Sequence, residues 1–353
     1  MLKKDLSKKI LIIGTDFSGK GGIALLIKSY STLFPTFNYI CTHQFTNKIR
    51  QVLIAFKAIF LTLYYCLFKQ IKIVHIHTAS YNSFFRDSIY LLIAKCIGRK
   101  VILHLHGGKF ESFYYKYPKY CSYICKKADC IIAVSNYFGN IFKKLNLNEN
   151  IQVIYNSADE ILKTKTNQQI NRDILNITFL GAIENNKGIF DIIECLNKNI
   201  SYFKSHKIHF HICGVGNSQK LKNLIENYNL DKITTYHGWV NKVEKNSLLA
   251  NTDIYLQPSY FESLGIAIIE AMNYSIPIIA SNTGGIPELV EHNNNGFLIE
   301  PGNINDLFNS LRKLIEDQNL RIEMGKKAYT KSQLFTTNIM RDKLNNLYEY
   351  LLN

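Results

Sequence analysis

Short runs of β-branched and aliphatic residues recur along this chain, separated by longer stretches in which apolar positions fall three or four apart. In the first half the runs predict strands at 9–14 (KILIIG), 71–77 (IKIVHIH), 100–105 (KVILHL), 130–134 (CIIAV) and 151–154 (IQVI). In the second half they predict strands at 175–180 (LNITFL), 207–213 (KIHFHIC), 233–237, 253–257 (DIYLQ) and 276–280 (IPIIA). Runs that are apolar at nearly every position mark strands buried on both faces, and the helical patterns between them supply the cover. Two such series predict two doubly wound α/β domains with parallel sheets. The length agrees, because 353 residues exceed the size at which one core stops growing. The polar stretch 159–176 (DEILKTKTNQQINRDILN) lacks either pattern and reads as the connection. We therefore expect one domain over residues 1–165, completed by a C-terminal helix at 335–353, and a second over 166–334. Ligands of open α/β sheets bind beyond the carboxyl ends of the strands, so a cleft between two facing domains is the expected active site.

One apolar stretch breaks the rhythm. Residues 51–68 (QVLIAFKAIFLTLYYCLF) are apolar nearly all round, but they include Lys57 and run at once into the next strand. Eighteen residues lie at the margin of a membrane span. The segment is expected to be a buried helix, with a helix lying in the plane of a membrane as the alternative.

Composition adds little to the fold and more to the partners. With 47% hydrophobic and 20% charged residues the chain is an ordinary globular protein. The start MLKKDLSKKI shows no secretory signal pattern, so a cytoplasmic location is expected. The eight cysteines have no metal-type or redox-type spacing and are expected to be reduced core thiols. Charge is the uneven property. Residues 1–165 carry 24 Lys and Arg against 8 Asp and Glu, whereas residues 166–353 carry 18 against 19. A basic half suggests a polyanionic partner, either nucleic acid or an anionic membrane surface. The stretch 109–127 (KFESFYYKYPKYCSYICKK), rich in Tyr and Lys, suits an interfacial surface, although lysine enrichment across the whole genome would also produce it.

Several loops after strands carry candidate chemistry. Gly19, Gly21 and Gly22 follow the first strand and allow close approach of backbone to a ligand at a helix start, or simply a tight turn. Gly214 and Gly216 follow 207–213 with the same two readings. Lys187 lies in a loop that opens a helix near Ile189, where its charge would add to the helix dipole in attracting a diphosphate. Paired histidines end two strands, His75 with His77 and His104 with His106. Each pair lies on one strand face, which suggests either a metal site, packed core histidines, or a substrate-facing His106. No Asp-x-Asp triplet occurs anywhere in the chain, so the usual acidic anchor for a metal-bound nucleotide sugar is missing. Most informative is the segment 258–301, in which Glu262 and Glu270 bracket the start of one short apolar helix.

Taken in order, ITFLGAIENNKGIFDIIEC, HFHICGVGNSQ, YHGWV and PSYFESLGIAIIEAMNYSIPIIASNTGGIPELVEHNNNGFLIEPG resemble the retaining glycosyltransferases of family 4. GGIA, VHIHTA and HLHGG extend the likeness more loosely into the first half. The resemblance implies a GT-B fold, with two facing Rossmann-like domains. It also implies transfer of a sugar from a nucleoside diphosphate, most simply a UDP-sugar, with retention at the anomeric carbon and without metal or cofactor. Glu262 is then expected on the donor sugar and Glu270 on the ribose. The N–H groups of Ser263, Leu264, Gly265 and Ile266 would hold the sugar and its β-phosphate, and Lys187 the leaving diphosphate. His106 would lie near the donor sugar, Gly21 and Gly22 near the diphosphate and acceptor, and Gly214 and Gly216 along the donor. Trp239 and Val240 would read the base through their backbone. One position departs from the family, since Ala182 stands where an arginine is common, and Lys20 is a candidate replacement. The basic half suggests a saccharide or polyprenyl-diphosphate-linked acceptor at the inner membrane face, as in bacterial surface-polysaccharide assembly. A GT-B nucleotide-sugar epimerase and a basic nucleic-acid-binding protein are the alternatives; the first reading involves no nucleic acid.

Overall fold

A computed structural model describes residues 1–17, 22–44, 46–158 and 174–353. Gly19, Lys20, Gly21 and most of the 159–176 connection lie outside the described residues. The chain divides into two units, Met1–Ser157 with Thr337–Asn353, and Ala158–Thr336.

The first unit holds β1 (Ile10–Thr15), β2 (Asn38–His43), β3 (Ile73–Thr78), β4 (Lys100–Leu105), β5 (Cys130–Ala133) and β6 (Ile151–Val153). All pair in parallel in the order β2-β1-β3-β4-β5-β6. The second holds β7 (Leu175–Leu180), β8 (Ile208–Cys213), β9 (Thr234–Gly238), β10 (Ile254–Gln257), β11 (Ile278–Ser281) and β12 (Gly296–Ile299), in the order β12-β11-β10-β7-β8-β9. Numbered within its own unit the second order is 3-2-1-4-5-6 reversed end for end, the Rossmann arrangement, and the first follows the related 2-1-3-4-5 winding. β2 and β12 escaped the sequence reading, and each lies at a sheet edge. An edge strand is buried less evenly, so its hydrophobic run is shorter or interrupted; β2 alternates between buried and half-buried positions.

The helix Thr337–Leu352 belongs to the first unit. Met340, Leu344, Leu347, Tyr348 and Leu351 recur at helical spacing and join a core with Tyr30, Phe34, Ile73 and Ile102. In the second unit Ile177, Phe179, Ile192, Ile193, Phe210 and Leu311 lie at the centre of the core.

The expectation of a buried helix around 51–68 is overturned. The helix Lys48–Phe68 buries only Ala58, Thr62 and Cys66, while Ile49, Phe56, Phe60 and Phe68 are each more than 65% exposed. The sheet accepts a stripe of small residues four apart, and the large apolar side chains point the other way. Hydrophobicity on every face cannot tell a sequence reader which face the sheet will take.

Six of the eight cysteines are buried, Cys41 is half-buried and Cys96 is exposed, and all are free thiols.

Candidate functional site

In the second unit the strand order reverses between β7 and β10, and the residues that leave those two strands meet. After β7 the chain makes a short turn at Asn185–Lys187 and enters the helix Ile189–Lys198 through Gly188. Gly188 has φ +70°, and a Cβ there would stand 1.9 Å from the Pro258 carbonyl oxygen, so only glycine allows this loop to press on the one after β10. After β10 come Pro258, Ser259 and Glu262, then the helix Ile266–Asn273. The two loops close on each other through an ion pair: Lys187 Nζ donates to Glu262 Oε1 at 2.6 Å, with both side chains largely buried.

Behind Glu262 runs a buried polar chain. The Tyr255 hydroxyl donates to Gln257 Oε1 at 2.7 Å and lies 3.3 Å from the Leu180 carbonyl oxygen. Gln257 Nε2 donates to Ser259 Oγ at 2.8 Å, and both Gln257 Nε2 and Ser259 Oγ reach Glu262 Oε1, at 3.4 and 3.3 Å. Tyr255, Gln257 and Ser259 are buried. Burial raises the Tyr255 hydroxyl well above its ordinary range, with the charges of Glu270 and Glu262 adding to it, so it serves as a neutral donor. The relay holds the Glu262 carboxylate in one orientation from behind, as second-layer hydrogen bonds orient reactive groups elsewhere. On another side, the loop 283–285 clasps the backbone: Gly285 N donates to the Glu262 carbonyl at 3.0 Å.

Gly265, with φ +99°, is the N-cap of the helix Ile266–Asn273 and, having no side chain, supplies no cap to the first-turn N–H groups. Ser263, Gly265 and Ile266 are half-buried and Leu264 points into the core, so what Leu264 can offer a ligand is its backbone. One turn into the helix, Glu270 pairs with Lys245 Nζ from the helix Lys242–Ala250. Gly214 and Gly216 lie against the loop that follows β7. Gly181 N donates to the Cys213 carbonyl, Ile183 N to that of Val215, and Asn217 N to that of Ile183. A Cβ on Gly214 would stand 1.7 Å from the Gly181 carbonyl oxygen, so this glycine is fixed by the approach of two loops, whatever else it touches. Ala182 is half-buried in the same loop and Val240 half-buried after β9, while Trp239 is 42% exposed.

The sequence reading missed Tyr255, Gln257, Ser259 and Lys245. A signal existed for Gln257, a polar residue closing an apolar buried strand, and for Ser259, three residues before Glu262. None existed for Lys245, which reaches Glu270 across 25 residues.

The first unit has its own polar cluster. β3 and β4 are paired so that His77 faces His104, which gathers His75, His77, His104 and His106 on one sheet face. His75 Nδ1 bonds to the Tyr348 hydroxyl at 2.7 Å and its Nε2 to His104 Nδ1 at 3.2 Å; His77 Nδ1 bonds to His106 Nε2 at 3.0 Å. Burial pushes His75 and His106 down to about 3, and His77 and His104 well below their ordinary range, so the rings are neutral near pH 7. Nitrogens of His75, His77 and His104 lie within 4.8 Å of one another, a spacing open to a metal; His75 is held by Tyr348 and His104, and His77 by His106, while His77 Nε2 and His104 Nε2 are buried with no hydrogen-bond partner among the described residues. Gly22, in the same unit, opens the helix Gly22–Leu33 after β1. Gly21 lies outside the described residues.

Two family models match consecutive parts of the chain: Glycosyltransferase Family 4 over residues 34–160, and Glycosyl transferases group 1 over residues 160–331. The chain belongs to the family 4 glycosyltransferases. A 41.2 kDa protein of the cps region of Klebsiella pneumoniae is 28% identical to this glycosyltransferase, over 50% of this chain and 49% of its own length. A Methanocaldococcus jannaschii glycosyltransferase of unassigned role is 29% identical, over 75% of this chain and 72% of its own. The matched region thus spans about half the length of the first of these relatives. Among solved structures, Anabaena HepE in complex with UDP and glucose superposes with a TM-score of 0.76 at 18% identity, covering 97% of this chain and 99% of that one. Sucrose-phosphate synthase of Thermosynechococcus elongatus gives a TM-score of 0.77 at 15% identity, over 98% and 99% of the two chains. These likenesses establish the GT-B fold.

Proposed function

We propose that this protein transfers a sugar from a nucleoside diphosphate to an acceptor hydroxyl, with retention at the anomeric carbon. The reading is carried by the Lys187–Glu262 pair at the switch point between β7 and β10, where an open α/β sheet binds its ligand. Departure of the diphosphate builds negative charge. Lys187 and the N–H groups at Gly265–Ile266 stand ready to receive it, so no metal is assigned to this step. When a diphosphate arrives, Lys187 exchanges part of its bond to Glu262 for the phosphate oxygens. The carboxylate, still held by Gln257 and Ser259, takes hydrogen bonds from sugar hydroxyls. Glu262 is thus a positioning group, and the leaving phosphate is the acceptor's natural proton sink on the same face. Glu270, beside Lys245, takes the ribose, and the backbone at Trp239 and Val240 the base. Gly214 and Gly216 line the donor.

UDP is the favoured nucleotide, because Anabaena HepE carries it in the same fold. A saccharide or lipid-linked acceptor of surface-polysaccharide assembly is favoured by the likeness to a cps-region protein, and the basic first half supports a peripheral position on the inner face of a membrane. A thermal-shift panel of UDP- and GDP-sugars tests the reading directly, since a ligand of the native state raises the apparent midpoint in proportion to its affinity. A UDP-sugar should raise it, and an NMR assay with acceptor should show an axial or equatorial product bond matching the donor. No shift with any nucleotide sugar would remove the proposal, and a donor altered without acceptor would replace it with epimerisation.

A further inference from the structure

The helix Lys48–Phe68 carries an exposed apolar surface. Ile49, Val52, Leu53, Phe56, Phe60, Leu63, Tyr64 and Leu67 recur three or four residues apart on its outward face. Its inward face carries the buried stripe of Ala58, Thr62 and Cys66. The helix is therefore amphipathic in the sense opposite to a soluble surface helix, with the bulky residues turned to solvent. It is also firmly mounted. Arg99 donates from Nε and Nη2 to the Cys66 carbonyl at 3.1 and 2.6 Å, and the Tyr90 hydroxyl reaches the Ala55 carbonyl at 3.5 Å.

Charge selects the occupant. From residue 17 to residue 86 there is no Asp or Glu, while Lys28, Lys48, Arg50, Lys57, Lys69 and Lys72 are basic; Arg86, which ends the stretch, is paired with Asp87. Lys69 lies over the Tyr64 ring at 5.5 Å, and on the neighbouring helix Pro118–Lys127, Lys127 lies over the exposed Tyr123 at the same distance. That second helix and Lys48–Phe68 both pack on the helix Asn82–Cys96, so the two basic, aromatic surfaces share one flank of the sheet. A second copy of the chain would bring these unbalanced cations against themselves, because a two-fold interface pairs a patch with its own image. A bilayer of anionic lipids satisfies both features, taking the apolar side chains below the headgroups and the lysines among them.

We infer that the helix Lys48–Phe68 docks the enzyme on an anionic bilayer, lying in its plane. The 21 residues are long enough to cross one, at about 1.5 Å of rise per residue. Yet the small-residue stripe is buried against the protein, and a helix held along one side lies on a membrane without spanning it. This deepens the membrane-side reading of the acceptor, but vesicle binding does not depend on which sugar is transferred.

The test uses the full chain and vesicles of phosphatidylcholine with or without about 30 mol % phosphatidylglycerol. Wild type should float with the anionic vesicles and bind them less at about 0.5 M than at about 0.1 M salt. Phe56→Ser with Phe60→Ser should lower partitioning at least tenfold, leaving the circular dichroism spectrum and any UDP-sugar thermal shift unchanged. Phe60→Trp should gain blue-shifted emission on the vesicles. Absence of wild-type binding, equal binding by the double variant, or a dimer that the double variant dissolves without any vesicle binding would each overturn the inference. A wild type that binds vesicles but shows no nucleotide-sugar shift would instead remove the transferase reading and leave the docking surface standing.

Discussion

Lys187 and Glu262 lie 75 residues apart in the chain and 2.6 Å apart in the fold, one leaving β7 and the other leaving β10. Each is the other's counter-ion at the point where the strand order reverses. With side chains about one-fifth exposed, the pair contributes little to stability, on the order of 1 kcal/mol or less after solvent screening. Its value lies in what it can exchange for. Lys187→Ala and Glu262→Ala should each lower transfer by about 10²–10³-fold, the cost of removing one preorganised stabilising group, while the melting midpoint moves by a few degrees at most. Steady-state rates and a thermal melt on the same preparations check both halves. Near-wild-type turnover in both variants would remove the site assignment.

The relay behind Glu262 should be worth more to the fold than the ion pair in front of it. Gln257→Leu leaves the buried Tyr255 hydroxyl only its 3.3 Å contact with the Leu180 carbonyl and Ser259 Oγ without the hydrogen bond it accepts, and a poorly satisfied buried polar group costs about 1–3 kcal/mol. Urea unfolding should show that loss. Turnover should fall as well, because Glu262 loses one of the groups that orient it. Unchanged stability would mean that water or another side chain completes the chain.

Two glycines with positive φ separate backbone strain from crowding. Gly98, at φ +75°, has open space where a Cβ would sit, whereas a Cβ on Gly284, at φ +55°, would stand 2.0 Å from the Glu262 carbonyl oxygen. Gly98→Ala should cost only the left-handed penalty, about 1–2 kcal/mol. Gly284→Ala carries the same penalty and must also displace the backbone of Glu262, so it alone should raise the donor KM. Parallel denaturation curves and donor titrations distinguish the two. Equal effects on KM would refute the role of the 283–285 clasp.

The histidine cluster sets a pH dependence whose sign is fixed. Burial holds His75 and His106 at about 3 in the native protein, against about 6.5 in an unfolded chain, and His77 and His104 shift the same way. The unfolded state then binds more protons between those limits, so stability is full above about pH 6.5 and falls as pH drops from there towards 3. His43, His209, His211 and His237 are shifted in the same direction. The carboxylates lowered by lysine partners, Glu291 and Glu323, add their own loss only below about pH 4.5. Denaturation midpoints at pH 8, 6.5 and 5 test this, and a protein equally stable at pH 5 and pH 8 would contradict the buried neutral cluster.

Period and apolar continuity in the sequence determined ten of the twelve strands, their parallel pairing and the division into two sheets, because a strand covered on both faces leaves its mark residue by residue. The motifs around Lys187, Glu262 and Glu270 likewise named the family without any coordinates. Tertiary structure alone decided the remainder. Edge strands β2 and β12 depend on a neighbour for their burial. Lys245 meets Glu270, and Tyr255 reaches Glu262 through Gln257, only because β10 and the helices beside it bring them together. The outward face of Lys48–Phe68 was likewise beyond sequence: a helix apolar on all sides is oriented by which stripe fits the sheet, and here the small side chains of Ala58, Thr62 and Cys66 fit it.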